Sequence, residues 1–175
     1  MIADKFPLLS VLILLPLLGA IATGFAQSKG RAKKIAAFIA VIELLGSLLA
    51  LYWFNPDEGG QFQLLERYAW MPKLNIEFLL GIDGISVLFL PMSAFVTLMA
   101  ILASWNSVQH MASFHYALLL VLQGITIGVF TALDMVLFFL FWELTLPPIF
   151  FLIGLWGVGP HRRMAATKYT LFMLF

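Results

Sequence analysis

Long apolar runs separated by short polar connections set the pattern of this chain, and each run is about the length that crosses a bilayer. A helix needs about 20 apolar residues at about 1.5 Å each to span a hydrocarbon core of about 30 Å. On that measure the chain predicts five full spans, at about 6–26, 35–54, 78–105, 113–133 and 135–156, and the start of a sixth at 164–175. The sixth is too short to cross, so the sequence reads as the N-terminal part of a longer chain. Asp4 and Lys5 offset each other ahead of a long first run, which is not the flank of a secretory signal. The expected fold is an all-α polytopic transmembrane bundle forming a single membrane domain, 1–175, with no soluble domain and no internal repeat.

Composition agrees with the pattern. The chain is 62% hydrophobic and 11% charged, with a mean hydropathy of +1.00. A soluble domain of this size could not hide so much apolar side chain. The net charge of +1 gives no reason to expect nucleic acid. With no cysteine there are no disulfides and no thiolate ligands for an iron–sulfur cluster. His110, His115 and His161 fall in the predicted polar connections with no metal-ligand spacing, and no phosphate-binding glycine motif is present. No cofactor or metal is therefore expected in this chain.

Basic residues orient the bundle. Lys29, Arg31, Lys33 and Lys34 lie between the first two spans, and Arg162, Arg163 and Lys168 lie at the fifth connection. The positive-inside rule puts both connections in the cytoplasm. The N-terminus, the 55–77 loop and the turn at Asp134 then face outward, which in a bacterial inner membrane is the periplasmic side. Asn55, Pro56, Gly59 and Gly60 mark a turn in the 55–77 connection. Trp53, Trp70, Trp105 and Trp156 sit near the expected interfaces.

Glu143 is the residue with the most to say about chemistry. It stands in FFLFWELTLPPIFFLIGLW, residues 138–156, nine residues after Asp134 and so roughly 13 Å into the hydrocarbon core. Ionisable groups at such depth are costly and tend to be functional. Pro147 and Pro148 lack an N–H, so the carbonyls of Glu143 and Leu144 lose their helical donors and need water or a neighbour. A carboxyl set between desolvation and a facing cation can take up and release a proton. The plainer reading is an ion pair that holds helices together. Glu43, near the middle of the second span, is either an interhelical hydrogen-bonding group or a secondary proton-path acid. Asp83 in GIDGIS reads as an interfacial acid near a helix N-terminus, within the first two turns of the third span. Asp134 reads as a helix cap, Lys168 as a snorkelling lysine, and Arg162 and Arg163 as topology determinants.

Residues 128–157 resemble a known family, the M-type (fourth mitochondrial) antiporter-like subunit of proton-pumping NADH:quinone oxidoreductase, respiratory complex I. The resemblance rests on Gly128-Val129-Phe130, Leu133-Asp134, Phe138-Phe139, Phe141-Trp142-Glu143, Pro148, Phe151-Leu152-Ile153 and Trp156-Gly157. Gly81 to Ser86 and Ala165 to Tyr169 extend it to the third and sixth helices. It implies a 14-helix antiporter-like fold with two inverted five-helix repeats, each with a proton half-channel. It also implies a lysine on a broken seventh helix facing the glutamate that matches Glu143, the pair gating proton transfer. That helix lies past Phe175. NADH, FMN, iron–sulfur clusters and quinone are then expected in partner subunits, and the partners are other membrane-arm subunits, lipid and protons. Pro147 makes a double proline where the family has one, and Glu43 matches no family residue.

The function these readings favour is a proton-translocating membrane-arm subunit with no redox centre, an enzyme only as part of its complex. A multisubunit sodium/proton antiporter, which shares fold and glutamate, is the alternative, and neighbouring genes would separate the two. A non-catalytic scaffold whose buried acids only pair helices is the third.

Overall fold

A computed structural model describes residues 6–58, 60–74 and 76–174, with the side chain of Glu58 left out. Asp4 and Lys5 before the first span, Gly59 in the turn and Phe175 at the end of the sixth run lie outside the described residues. Seven helices and one hairpin follow in order: α1 (Leu8–Gly24), α2 (Lys29–Trp53), β1 (Gln63–Met71), β2 (Ile76–Ile82), α3 (Ser86–Ala103), α4 (Ala112–Thr131), α5 (Met135–Leu144), α6 (Leu146–Trp156) and α7 (Arg162–Leu174). Among the described residues four spans are long and apolar enough to cross a membrane: α2, α3, α4, and α5 with α6 as one 22-residue stretch. The helix α1 is apolar but only 17 residues long.

The helices pack as a bundle in which α4 contacts α1, α2, α3, α5 and α6. Two apolar clusters fill it. One, toward the basic end, holds Ala36 and Ala40 of α2, Leu98 and Ile101 of α3, and Tyr116 and Leu120 of α4. The other, toward the opposite end, holds Leu9 and Leu12 of α1, Ala50 of α2, Leu90 of α3, Ile125 and Ile127 of α4, and Leu137 and Phe141 of α5. Small residues permit close approach where lipid gives no hydrophobic drive for association. A Cβ at Gly124 would stand 2.8 Å from the Ile13 carbonyl oxygen, so α1 and α4 approach backbone to backbone there.

Two boundaries differ from expectation. The helix α2 begins at Lys29 rather than near residue 35, and Ser28 caps it by accepting from the Arg31 N–H at 3.3 Å. Long basic side chains extend the span into the interface instead of ending it. The third span begins at Ser86 rather than near 78, because 76–82 is strand. The all-α class therefore needs amending: the 55–77 connection and the residues after it form an antiparallel hairpin. Its register pairs Arg67 with Leu79 and Ala69 with Glu77. The diagonal neighbours Arg67 and Glu77 make a two-pronged ion pair at 2.5 and 2.7 Å. The pair holds the exposed guanidinium of Arg67 above its ordinary range, through the hydrogen bond first and the charge second.

The hairpin lies across the ends of the helices opposite the basic end. Leu133 N–H donates to the Leu79 carbonyl at 2.9 Å, and Leu80 bridges to Ala132. Glu66 on β1 reaches the start of α1. Its carboxylate accepts from the N–H groups of Leu9 at 2.6 Å and Ser10 at 3.0 Å, and from the Ser10 hydroxyl. Pro7, at the N-cap position, offers no side-chain acceptor, so a strand 56 residues away supplies the missing cap.

Candidate functional site

Asp134 caps α5, accepting from the N–H groups of Val136 at 2.9 Å and Leu137 at 3.1 Å. This fixes where the helix starts and so the depth of Glu143. Its rotation is set by Phe141, whose ring fills the notch left by Gly128 of α4. A Cβ there would meet the ring at 2.6–2.7 Å. With Leu137 and Phe141 turned inward, Glu143 lies on the other side of α5, exposed beside Val136, Phe139 and Leu140.

The helix breaks directly after Glu143. The regular hydrogen bonding of α5 ends at Leu144 and that of α6 begins at Leu146. Thr145 bridges the gap: its N–H donates to the Trp142 carbonyl at 3.1 Å and its hydroxyl to the same oxygen at 2.7 Å. Pro147 is exposed and Pro148 buried, both in the first turn of α6, where a missing N–H costs least. The arrangement presents a carboxyl at a helix junction, on an apolar face that no described residue of this chain covers with a hydrogen-bond donor. An apolar cavity of about 300 Å³ lies against α5, lined by Leu14, Leu17, Trp70, Phe78, Leu137 and Leu140, and does not include Glu143.

The other expected residues separate from it. Glu43 is fully buried in α2, and neither carboxyl oxygen has a hydrogen-bond partner. Asp83 lies three residues ahead of α3, in the turn after β2, rather than inside the helix. It accepts from the N–H groups of Ile85 at 3.1 Å and Ser86 at 2.6 Å, while its own N–H donates to the Ser86 hydroxyl at 2.9 Å. Those bonds, the one from Ser86 foremost, hold its carboxyl below the ordinary range. Arg162, Arg163 and Lys168 are exposed on α7. His115 is not in a connection but in the first turn of α4, buried and stacked edge-on with Trp156 at 4.8 Å. His110 lends its carbonyl to the Trp156 indole at 3.1 Å, and His161 is exposed. Among the described residues no three metal-ligating side chains converge.

Two groups escaped the sequence reading. In the sequence Glu66 is one charge among several in a polar connection, and its capping role depends on a contact no local pattern encodes. Gln123, 1% exposed in α4, accepts from the Thr97 hydroxyl of α3 at 2.6 Å while its Nε2 has no partner. A lone amide in an apolar run was the only available signal.

Comparison with known proteins settles the kinship. The family described as "NADH:quinone oxidoreductase/Mrp antiporter, TM" matches residues 132–175, the segment that carries Glu143. The NAD(P)H-quinone oxidoreductase chain 4 1 of Synechococcus elongatus is 39% identical over 175 residues, covering 98% of this chain and 32% of its own length. The chain belongs to this family of antiporter-like membrane subunits. A second family member, NAD(P)H-quinone oxidoreductase chain 4 of Gloeobacter violaceus, is 37% identical over 169 residues, covering 97% of this chain and 32% of its own. The chain thus spans about a third of the length of the curated relatives it matches. The bundle is shared with a chain of respiratory complex I from Thermus thermophilus, at a TM-score of 0.77 and 23% identity over 95% of this chain and 32% of that one. It is shared also with a chain of the membrane-bound sulfane sulfur reductase, an archaeal respiratory membrane complex, at a TM-score of 0.72 and 26% identity over 94% of this chain and 25% of that one. The family member described here is an integral membrane protein, mostly helical, with a β-hairpin added.

Proposed function

We propose that this chain works in a proton-translocating membrane-arm subunit of an NAD(P)H:quinone oxidoreductase, with Glu143 as the carboxyl that transfers or gates the proton. The observation that carries the reading is the 39% identity to a chain 4 subunit along nearly the whole of this chain. Glu143 adds to it: a carboxyl beside a helix break, on an uncovered apolar face, can meet a cation from another helix. Thr145, Pro147 and Pro148 leave backbone carbonyls beside it that can hold water for proton exchange. The chain contributes no redox group, so NADH oxidation and quinone reduction belong to partner subunits that hold the flavin and iron–sulfur clusters. The basic end of the bundle faces the cytoplasm and the hairpin faces outward.

The test is Glu143→Gln in the complete complex, reconstituted in vesicles. The amide keeps shape and hydrogen bonding but not the charge. The rate of proton uptake should fall at least tenfold, about 1.4 kcal/mol in the transfer step, with assembly intact. Unchanged pumping would defeat the reading. The family description also covers Mrp antiporters. Sodium/proton exchange without NADH in the same vesicles would favour that second reading.

A further inference from the structure

Glu43 and Gln123 occupy the boundary between the two apolar clusters. Ala40 and Leu120 belong to the cluster at the basic end, and Glu43 and Gln123 each come three residues later on α2 and α4, which run parallel. Ala50 of α2, and Ile125 and Ile127 of α4, already belong to the outer cluster. The acid and the amide therefore share one layer of the bundle, with Thr97 of α3 bound to the amide oxygen at 2.6 Å and Ser47 one turn further along α2. In this layer one side chain has two acceptor oxygens without donors, and another has an N–H group without an acceptor. Their chemistry is complementary, since an amide N–H donates to a carboxyl carbonyl.

Among the described residues no charge compensates Glu43. The helices packed against α2 are α1, α3 and α4. Neither α1 nor α3 carries an acid, base or histidine, and α4 offers only His115 and Tyr116. Those two are seven or eight residues from Gln123, about 10–12 Å along the helix toward the basic end. The bases on α2 itself, Lys29, Arg31, Lys33 and Lys34, are nine or more residues away from Glu43. A buried ionised carboxylate without a cation is far costlier than the neutral acid.

We infer that Glu43 and Gln123 form a second, internal proton-binding site, in which the carboxyl holds a proton and its carbonyl oxygen is recognised by the Gln123 amide. Access lies on the basic side. A cavity of about 160 Å³ there is lined by Lys29, Lys33, Trp105, Gln109 and Tyr116. Leu120 and Ala40, both buried in the apolar cluster at that end, come between the cavity's Tyr116 and Lys33 and the polar layer along α4 and α2. The inference rests on burial and orphaned polar atoms, and stands independently of any role for Glu143.

Infrared difference spectroscopy of the complete complex in membranes, with exchange from water to heavy water, tests it. The wild type should show the carbonyl stretch of a protonated carboxyl that Glu43→Gln removes. Gln123→Leu should move the same band to higher frequency by taking away its hydrogen-bond donor. Glu43→Met, an apolar replacement of similar length, should assemble as well as wild type and lack the band, which covers the case of a Gln variant that does not assemble. A protonated-carboxyl region identical in wild type, Glu43→Gln and Glu43→Met would overturn the site. A Glu43 band indifferent to Gln123→Leu would overturn the pairing. Neither result would bear on proton uptake in Glu143→Gln, so the two proposals fail separately.

Discussion

Glu66 and Gly124 show how much of the bundle hangs on single residues. Two first-turn N–H groups of α1 end on the Glu66 carboxylate, which is 8% exposed. Removing a cap of this kind costs about 1–2 kcal/mol, and leaving the donors buried adds to it. Glu66→Ala should therefore lower the thermal stability of the purified complex and raise proteolysis near α1. Glu66→Gln, which still accepts, should do less harm. Gly124→Ala forces a methyl against the Ile13 carbonyl, and overpacking of this kind costs about 1–3 kcal/mol. Less assembled complex in membranes would reveal it. Charged residues drew attention in the sequence because charge in a hydrophobic run is conspicuous, and Glu43 and Glu143 were both legible for that reason. Gln123 and Thr97 were not, since a neutral polar residue is common in a membrane helix and only the fold reveals whether its donors are met.

At the scale of elements, hydropathy located the spans but misjudged their ends. IEFLLGI, residues 76–82, is as apolar as the helix it precedes, so an apolar sum runs the two together. What separates them is the GIDGIS turn, where Asp83 and Ser86 exchange hydrogen bonds before α3 begins. Because Asp83 is held below the ordinary Asp value of 3.8, its contribution to stability is complete above that value and is lost as pH falls through the lower folded value. Thermal denaturation of the complex between pH 5 and about 2.5 should show a component that Asp83→Asn removes. The hairpin's own ion pair is a different matter. Arg67 is 70% exposed, and Arg67→Ala should leave stability unchanged within error in the same assay.

For the whole molecule the alternation of apolar runs and basic connections was sufficient to give the helical bundle. The hairpin was missed because the strands gain stability from contacts with Ala132, Leu133 and the start of α1, all distant in sequence. Orientation is open to direct measurement, since the chain has no cysteine to remove. A cysteine replacing Arg31 should react with an impermeant maleimide only from the cytoplasmic side, and one replacing Asp57 only from the other. One contact inside the bundle has a wider reach. The Phe141 ring seated on Gly128 leaves α5 a single azimuth relative to α4. The aim of the Glu143 carboxyl is then decided by a volume at a backbone position that has no side chain and no charge. Any event that lifts the ring would swing the acid around the axis of its helix. On the proposed function, a displacement of hydrocarbon there becomes a change of address for a proton.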